Sequence, residues 1–237
     1  MNFSYEQVAK TIDHSLLNPT LTVTDLERGC ELALRYDVAS VCILPYYVRR
    51  CAEILKGSAV AASTTIGFPH GGHATAVKLA EAEVALADGA IELDMVVNIS
   101  KVLSGDYAYV GDEVAKLAEL VHQHRAKLKV IFENCYLNDE QKVTLCQVCT
   151  DAKADWVKTS TGYGTGGATM EDLELMLRNV GPGVQVKAAG GVRDLDTLLK
   201  VKAMGVTRCG ATRTQQMLDE CRVRLGLLPV AAAAPRP

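Results

Sequence analysis

Lys158 and Lys187 are the residues with the most pointed chemistry in this chain, each lying in a short β-branched run, and the two runs are consecutive. Neighbouring parallel strands lie about 4.8 Å apart. Two ammonium groups that close, and partly desolvated, disfavour each other's charge and lower a pKa. An unprotonated lysine attacks a carbonyl and gives an iminium ion. That ion is an electron sink for the carbanion left when a neighbouring C–C bond breaks. Asp94, with a bound water, is the candidate for moving the accompanying proton. A lysine nucleophile, a second lysine and a carboxylate are the minimum set for carbon–carbon cleavage through a Schiff base. Lysines on strands also serve as salt-bridge partners, so residue type alone leaves both readings open.

Such groups need a scaffold that gathers strand ends. Ile12–Leu16, Val38–Leu44, Val60–Ile66, Ile91–Val97, Leu128–Glu133, Asp155–Ser160, Val184–Ala188 and Val206–Gly210 read as strands. Helical patterns alternate with them: Thr24–Tyr36, Tyr46–Lys56, Thr75–Ala87, Tyr107–Arg125, Asp139–Lys153, Met170–Arg178, Leu195–Met204 and Thr214–Leu225. Asp139 and Asp194 read as N-caps, and Gly57, Gly89 and Gly205 stand where C-terminal glycines belong. Strict βα alternation implies a parallel sheet with helical crossovers. Eight such units in 237 residues suit a single-domain α/β fold, a closed (β/α)8 TIM barrel over residues 1–226, better than an open doubly wound sheet. Residues 227–237 are rich in Ala and Pro and read as a flexible tail.

Alternation within the strands says what faces the lumen. In Ile91-Glu92-Leu93-Asp94-Met95 the period of two sets three apolar residues against two carboxylates. The helix-facing side of a barrel is apolar, so Glu92 and Asp94 point inward. The same test sends Trp156, Lys158, Gln185 and Lys187 inward, and puts Lys129 and Glu133 on the face opposite Val130 and Phe132. With Asp13 and Arg208, four acids (Asp13, Glu92, Asp94, Glu133) would meet four bases (Lys129, Lys158, Lys187, Arg208). Buried charges are costly unless paired, so this lattice must be largely self-compensating. Glu92, Lys129 and Arg208 read as structural ion pairs. Asp94, Lys158 and Lys187 read as lying late in their strands, where this fold builds active sites.

Glycines cluster after the last three expected strands: Gly162 to Gly167, Gly190-Gly191, and Gly210. Glycines let backbone N–H groups approach an anion, and the loops after strands seven and eight are the usual phosphate site of such a barrel. Gly162–Gly167 satisfies G-x-G-x-x-G, but Lys187 stands where a dinucleotide site wants an acid, so that reading is rejected. His14, His70, His73, His122 and His124 form no convincing strand-end set with an acid, and no metal site is expected. Cys146-Gln-Val-Cys149 falls inside a helical stretch and reads as buried reduced thiols.

Composition narrows the classes of function. Lys and Arg total 25 against 28 Asp and Glu, a net charge of −3, without the basic footprint of a nucleic-acid binder. Aromatics at 5% leave little for base stacking. No run approaches the ~18 apolar residues of a membrane span, and the first residues show no secretory signal. A cytoplasmic protein acting on small molecules is expected.

The motifs Ile12-Asp13-His14-Ser15-Leu16-Leu17, Val41-Cys42-Ile43-Leu44-Pro45, Ile66-Gly67-Phe68-Pro69 and Glu92-Leu93-Asp94-Met95-Val96-Val97-Asn98 occur in that order. Lys129 to Glu133, Val157-Lys158-Thr159-Ser160-Thr161-Gly162 and Val186-Lys187-Ala188-Ala189-Gly190-Gly191-Val192-Arg193 follow. In this series the chain resembles the deoxyribose-phosphate aldolases from about residue 10 to 220. The resemblance implies a class I aldolase that cleaves 2-deoxy-D-ribose 5-phosphate reversibly to acetaldehyde and D-glyceraldehyde 3-phosphate, with no metal and no cofactor. It implies Lys158 as the Schiff-base former, Lys187 as the neighbour that perturbs its pKa, Asp94 as the proton handler through water, and Asp13 as support for Lys187. It sets Cys42 beside the aldehyde, and gives substrate and phosphate contacts to Thr161, Gly162, Gly190, Gly191, Gly210 and Thr212. Partners are then a phosphosugar and aldehydes, with a homo-oligomer possible and neither nucleic acid nor membrane. Two departures stand out. Gly210-Ala211-Thr212-Arg213 replaces a paired hydroxyl after the last glycine, leaving Arg213 to reach the phosphate or turn away, and the tail lacks a tyrosine. Other readings are a phosphosugar isomerase or epimerase with Asp94 or Glu133 as base, and a non-catalytic phosphosugar-binding barrel.

Overall fold

The computed structural model describes residues 3–228 and 230. Eight strands, β1 (Ile12–Leu16), β2 (Ser40–Ile43), β3 (Ala61–Ile66), β4 (Glu92–Val96), β5 (Lys127–Ile131), β6 (Trp156–Lys158), β7 (Gln185–Ala189) and β8 (Arg208–Ala211), close into one barrel. Each is hydrogen-bonded in parallel to the strands before and after it, and β8 pairs with β1. The helices are α1 (Tyr5–Ala9), α2 (Val23–Tyr36), α3 (Val48–Leu55), α4 (Thr75–Ala87), α5 (Ile99–Leu103), α6 (Tyr107–Gln123), α7 (Asp139–Asp151), α8 (Met170–Asn179), α9 (Leu195–Ala203) and α10 (Thr214–Arg224). The expected (β/α)8 barrel is the observed fold.

Local chemistry explains the helix starts. Thr22 with Asp25 and Asn138 with Gln141 form reciprocal capping boxes that open α2 and α7. Asp194 caps α9 as expected, whereas Asp139 is the first helical residue of α7 and Asn138 is its cap. The short α1 and α5 carry too few residues for a periodic signal. The segment expected as one helix from Tyr46 divides into a 3-10 turn at Pro45–Tyr47 and then α3. The fifth strand stops at Ile131, because Glu133 has φ 59°, a left-handed conformation no strand residue holds. Of the expected tail, residues 229 and 231–237 lie outside the described residues.

Apolar packing lies between barrel and helices. Leu93, Met95, Val130, Val157 and Val186 are fully buried on the outer faces of their strands. Ile91 departs from this face: it precedes β4 and is 53% exposed. Outside the lumen a second charged pair is buried in this layer. Lys78 on α4 and Glu113 on α6 have no exposed surface and meet at 2.9 Å. Lys78 also donates to the Val96 carbonyl at 2.8 Å, tying two helices to the C-terminal end of β4. Burial pushes the Lys78 pKa down and that of Glu113 up.

Removing one partner strands the other without water. Lys78→Met is expected to cost about 3–5 kcal/mol, read as a lowered urea midpoint, and Lys78→Met with Glu113→Leu to recover most of that loss. A single variant within about 0.5 kcal/mol of the parent would refute a stabilising role for the pair.

Candidate active site

The closed sheet turns period-two alternation into a wall of inward side chains. Strand register aligns Asp94 with Lys129 and Lys129 with Trp156, and one layer up it aligns Lys158 with Lys187 and Lys187 with Arg208. The two lysines expected on neighbouring strands are therefore direct register partners. Lys158 lies late in β6, as expected, and ends it two residues sooner than the expected Ser160, but Asp94 and Lys187 are central in their strands rather than late.

The charges form one connected network. Lys158 Nζ donates to Asp94 Oδ2 at 2.7 Å, and Lys187 Nζ donates to the same oxygen at 2.7 Å and to Asp13 Oδ2 at 2.5 Å. Lys129 Nζ reaches Glu92 Oε2 at 2.6 Å and Asp94 Oδ1 at 2.9 Å. Arg208 reaches Asp13 Oδ1 at 2.6 Å and both oxygens of Glu92 at 2.8 and 3.0 Å. Below them Trp156 lies under the guanidinium, 5.0 Å from ring centre to the Arg208 Cζ.

Glu133 does not belong to this network. From its left-handed position after β5, its carboxylate accepts from the Thr161 backbone N–H and the Thr161 hydroxyl. The expected balance of four acids and four bases is thus three carboxylates, Asp13, Glu92 and Asp94, against four cations. With every group charged, the lumen would hold one surplus positive charge. Lys158 has the weakest claim to a proton. Among the described residues Asp94 is its sole ion-pair partner, through an oxygen that Lys187 shares.

The proton affinities follow from this geometry. Burial and then the Lys187 charge push the Lys158 pKa down, against the pull of Asp94, and the net shift is downward. Lys187 is equally buried, but Asp13 and Asp94 outweigh that penalty and raise it. Lys129 is raised well above the usual lysine value by Asp94, Glu92 and Asp13 in spite of burial. Burial alone would raise Asp94; Lys129, Lys158 and Lys187 reverse this and hold it well below the usual carboxylate range. Burial raises the Cys42 thiol.

Above the network opens a cavity of about 190 Å³. Its walls include Asp13, Cys42, Lys158, Thr161, Gly162, Lys187, Gly190, Gly191, Gly210 and Thr212, so every site residue expected from sequence except Asp94 lines it. Asp94 lies beneath, fully buried, under Lys158 and Lys187. Ser15 and Arg193 line the cavity as well, beyond the residues expected from sequence. The period of two from Asp13 points to Ser15, and adjacency to Gly190-Gly191 points to Arg193. Arg213 turns away into a separate groove with Gln216 and Asp219.

The loops that carry these residues are fixed by main-chain bonds. The Thr159 hydroxyl donates to the Ala189 carbonyl and accepts from the Ala189 N–H, both at 3.1 Å, locking β6 to β7 just past Lys158. Gly167 and Gly190 touch backbone to backbone, and a Cβ on Gly190 would stand 2.9 Å from the Gly167 Cα. Glycine is required at this contact, and Gly190 also has φ 74°. Of the histidines, His14 is buried and its Nδ1 pairs with the Thr214 hydroxyl at the start of α10, while His70, His73, His122 and His124 are exposed. Cys146 and Cys149 are buried free thiols within α7.

Comparison with known proteins extends the match to nearly the whole chain. The DeoC/LacD family aldolase model matches residues 7–214. A deoxyribose-phosphate aldolase of Rhodopirellula baltica is 62% identical over 98% of this chain and 97% of its own length. One from Thermococcus gammatolerans is 44% identical over 91% of this chain and 96% of its own. Among solved structures, a tetrameric deoxyribose phosphate aldolase of Aeropyrum pernix superimposes with a TM-score of 0.85 at 30% identity, covering 92% of each chain. A barrel with a paired-lysine lumen, matched over this length, belongs to the DeoC/LacD family of aldolases.

Proposed function

We propose that this chain is a class I aldolase that reversibly cleaves 2-deoxy-D-ribose 5-phosphate to acetaldehyde and D-glyceraldehyde 3-phosphate through a Schiff base on Lys158. The observation that carries this reading is Lys158, held by a single carboxylate and with its pKa lowered by burial, at the floor of a cavity lined on one side by glycines. The free amine adds to the C1 aldehyde of the open-chain sugar, and loss of water leaves an iminium. The C3 hydroxyl then gives up its proton, the C2–C3 bond breaks, and its electron pair moves into the iminium to form an enamine. Glyceraldehyde 3-phosphate departs. Protonation of the enamine carbon and hydrolysis release acetaldehyde and restore Lys158. Asp94, hydrogen-bonded to Lys158, is the group we assign to proton transfer through water.

Phosphate recognition falls to Gly190, Gly191, Gly210 and Thr212, with Arg193 at the same wall. The N-terminus of α9 is occupied by the Asp194 side chain, whereas α10 starts at Thr214, after Thr212 and Arg213, with no side-chain cap. Its free N–H groups favour an anion. We assign Cys42, Thr161 and Gly162 to the aldehyde side of the cavity, with Thr161 held by Glu133. An isomerase in which Asp94 takes a proton directly from substrate fits less well, because Asp94 lies beneath the cavity with its oxygens engaged by Lys129, Lys158 and Lys187. Glu133 is engaged by Thr161. Among the described residues no helix is long and apolar enough to cross a membrane. Our reading places the enzyme in the cytoplasm as a homo-oligomer acting on phosphosugars and aldehydes without metal or cofactor.

Borohydride reduction in the presence of acetaldehyde is expected to leave an ethyl group on the Lys158 peptide alone, and Lys158→Met to lower kcat by on the order of 10⁴. No adduct on any lysine of active protein would sink the Schiff-base reading.

The pH profile follows from the direction of the Lys158 shift. The free amine reacts, so kcat/KM is expected to fall as pH drops through the pKa of Lys158, at a lower pH than an ordinary lysine would set. Lys187→Met removes the neighbouring positive charge, which favours protonated Lys158 and moves that acid limb to higher pH. An acid limb that stays in place in the variant would refute the electrostatic role of Lys187.

A further inference from the structure

Arg208 lies on the side of the lumen network away from the cavity and is not among its lining residues. It is the first residue of β8, and its guanidinium spans Asp13 on β1 and Glu92 on β4. Trp156 fixes its face from β6, with the indole N–H anchored to the Thr207 hydroxyl at 2.9 Å. A guanidinium keeps its proton in a protein interior, whereas an ammonium is able to lose one. A proton lost from these four cations would then come from a lysine.

Building on the Schiff-base reading, we infer that Arg208 is a positioning residue that keeps Lys158 unprotonated from a distance, by holding a permanent positive charge and sharing the two carboxylates that also answer Lys187 and Lys129. Two chains of contact carry the effect. One runs from Arg208 through Asp13 and Lys187 to Asp94, and the other through Glu92 and Lys129 to Asp94. Both converge on the carboxylate that Lys158 needs. The charged or titratable groups around Lys158 are Asp94 and Glu92 on β4, Lys129 on β5, Lys187 on β7, Asp13 on β1, Cys42 on β2 and Arg208 on β8. Glu133, after β5, is turned to Thr161. Removing Arg208 leaves three carboxylates for three lysines, a balance in which Lys158 keeps its proton. Removing the charge of Glu92 does the reverse and enlarges the surplus.

The test follows the rate of reductive trapping of acetaldehyde at Lys158 across pH in the full chain. Arg208→Gln is expected to move the acid limb up by about one pH unit, so that trapping below the limb slows about tenfold. Arg208→Lys, which restores the charge, is expected to return the limb to within a few tenths, and Glu92→Gln to shift it downward. A uniform loss across pH with the limb unmoved in Arg208→Gln, or shifts of the same sign in Arg208→Gln and Glu92→Gln, would overturn the inference. Should Arg208→Gln fail to fold, the downward shift in Glu92→Gln decides, and an unmoved limb there overturns it equally. Wild-type protein that forms no Lys158 adduct would instead overturn the Schiff-base reading on which this one rests.

Discussion

Charge buried in a protein must be matched, and the lumen of this barrel contains one cation more than its carboxylates answer. Asp13, Glu92 and Asp94 offer six oxygens to Lys129, Lys158, Lys187 and Arg208, and each contact in the network draws on that supply. Burial makes the mismatch expensive, because screening is weaker inside the barrel than in water. Among the lysines of the lumen the least supported is Lys158, and it is the one whose pKa is lowered. On our reading the lowered proton affinity of Lys158 is a consequence of charge counting among buried groups, distributed over several strands, rather than a property of one residue pair.

The barrel makes room for this network by dividing its lumen unequally. β2 and β3 contribute the small inward residues Ser40, Cys42, Ser63 and Thr65, all buried. The long side chains Lys129, Trp156, Lys158, Lys187 and Arg208 come from β5 to β8 and fill the space the small ones leave. Above the charges, side-chain contacts to the main chain hold the loops. Thr159 clamps β6 to β7, and Glu133 sets the turn at Thr161. The Lys78–Glu113 pair braces the far end of β4 from outside, where Asp94 enters the lumen on the same strand.

Much of this arrangement is legible in the order of residues along the chain. Alternation in Ile91–Met95 assigns Glu92 and Asp94 to the lumen correctly, because a strand with one apolar face has only one way to lie against helices. Gly190 and Gly191 after β7 mark a wall of the cavity, since positive φ at both and the close approach at Gly190 leave few other residues able to stand there. The same alternation fails at Glu133. It assumes a continuous strand, and a left-handed residue after Ile131 turns that side chain out of the lumen. Arg213 carries a charge in the right segment yet points to another groove, while Arg193, less conspicuous in sequence, faces the cavity. Side-chain direction after a strand end depends on loop geometry that no periodic pattern encodes.

By itself the sequence determined the order of strands and helices, the face each strand residue presents, and the residue types able to form an imine and bind a phosphate. These depend on local periodicity and on the intrinsic chemistry of side chains, both readable along the chain. The partner of each charge was decided only by closure of the barrel. Lys187 meets Asp13 from 174 residues away, and Arg208 meets Asp13 from 195 residues away, because β8 pairs with β1. Closure also left Glu133 outside and Lys158 with a single shared oxygen. Electrostatic coupling depends on distance and burial in three dimensions, so the surplus charge that sets Lys158 apart exists only in the folded lumen.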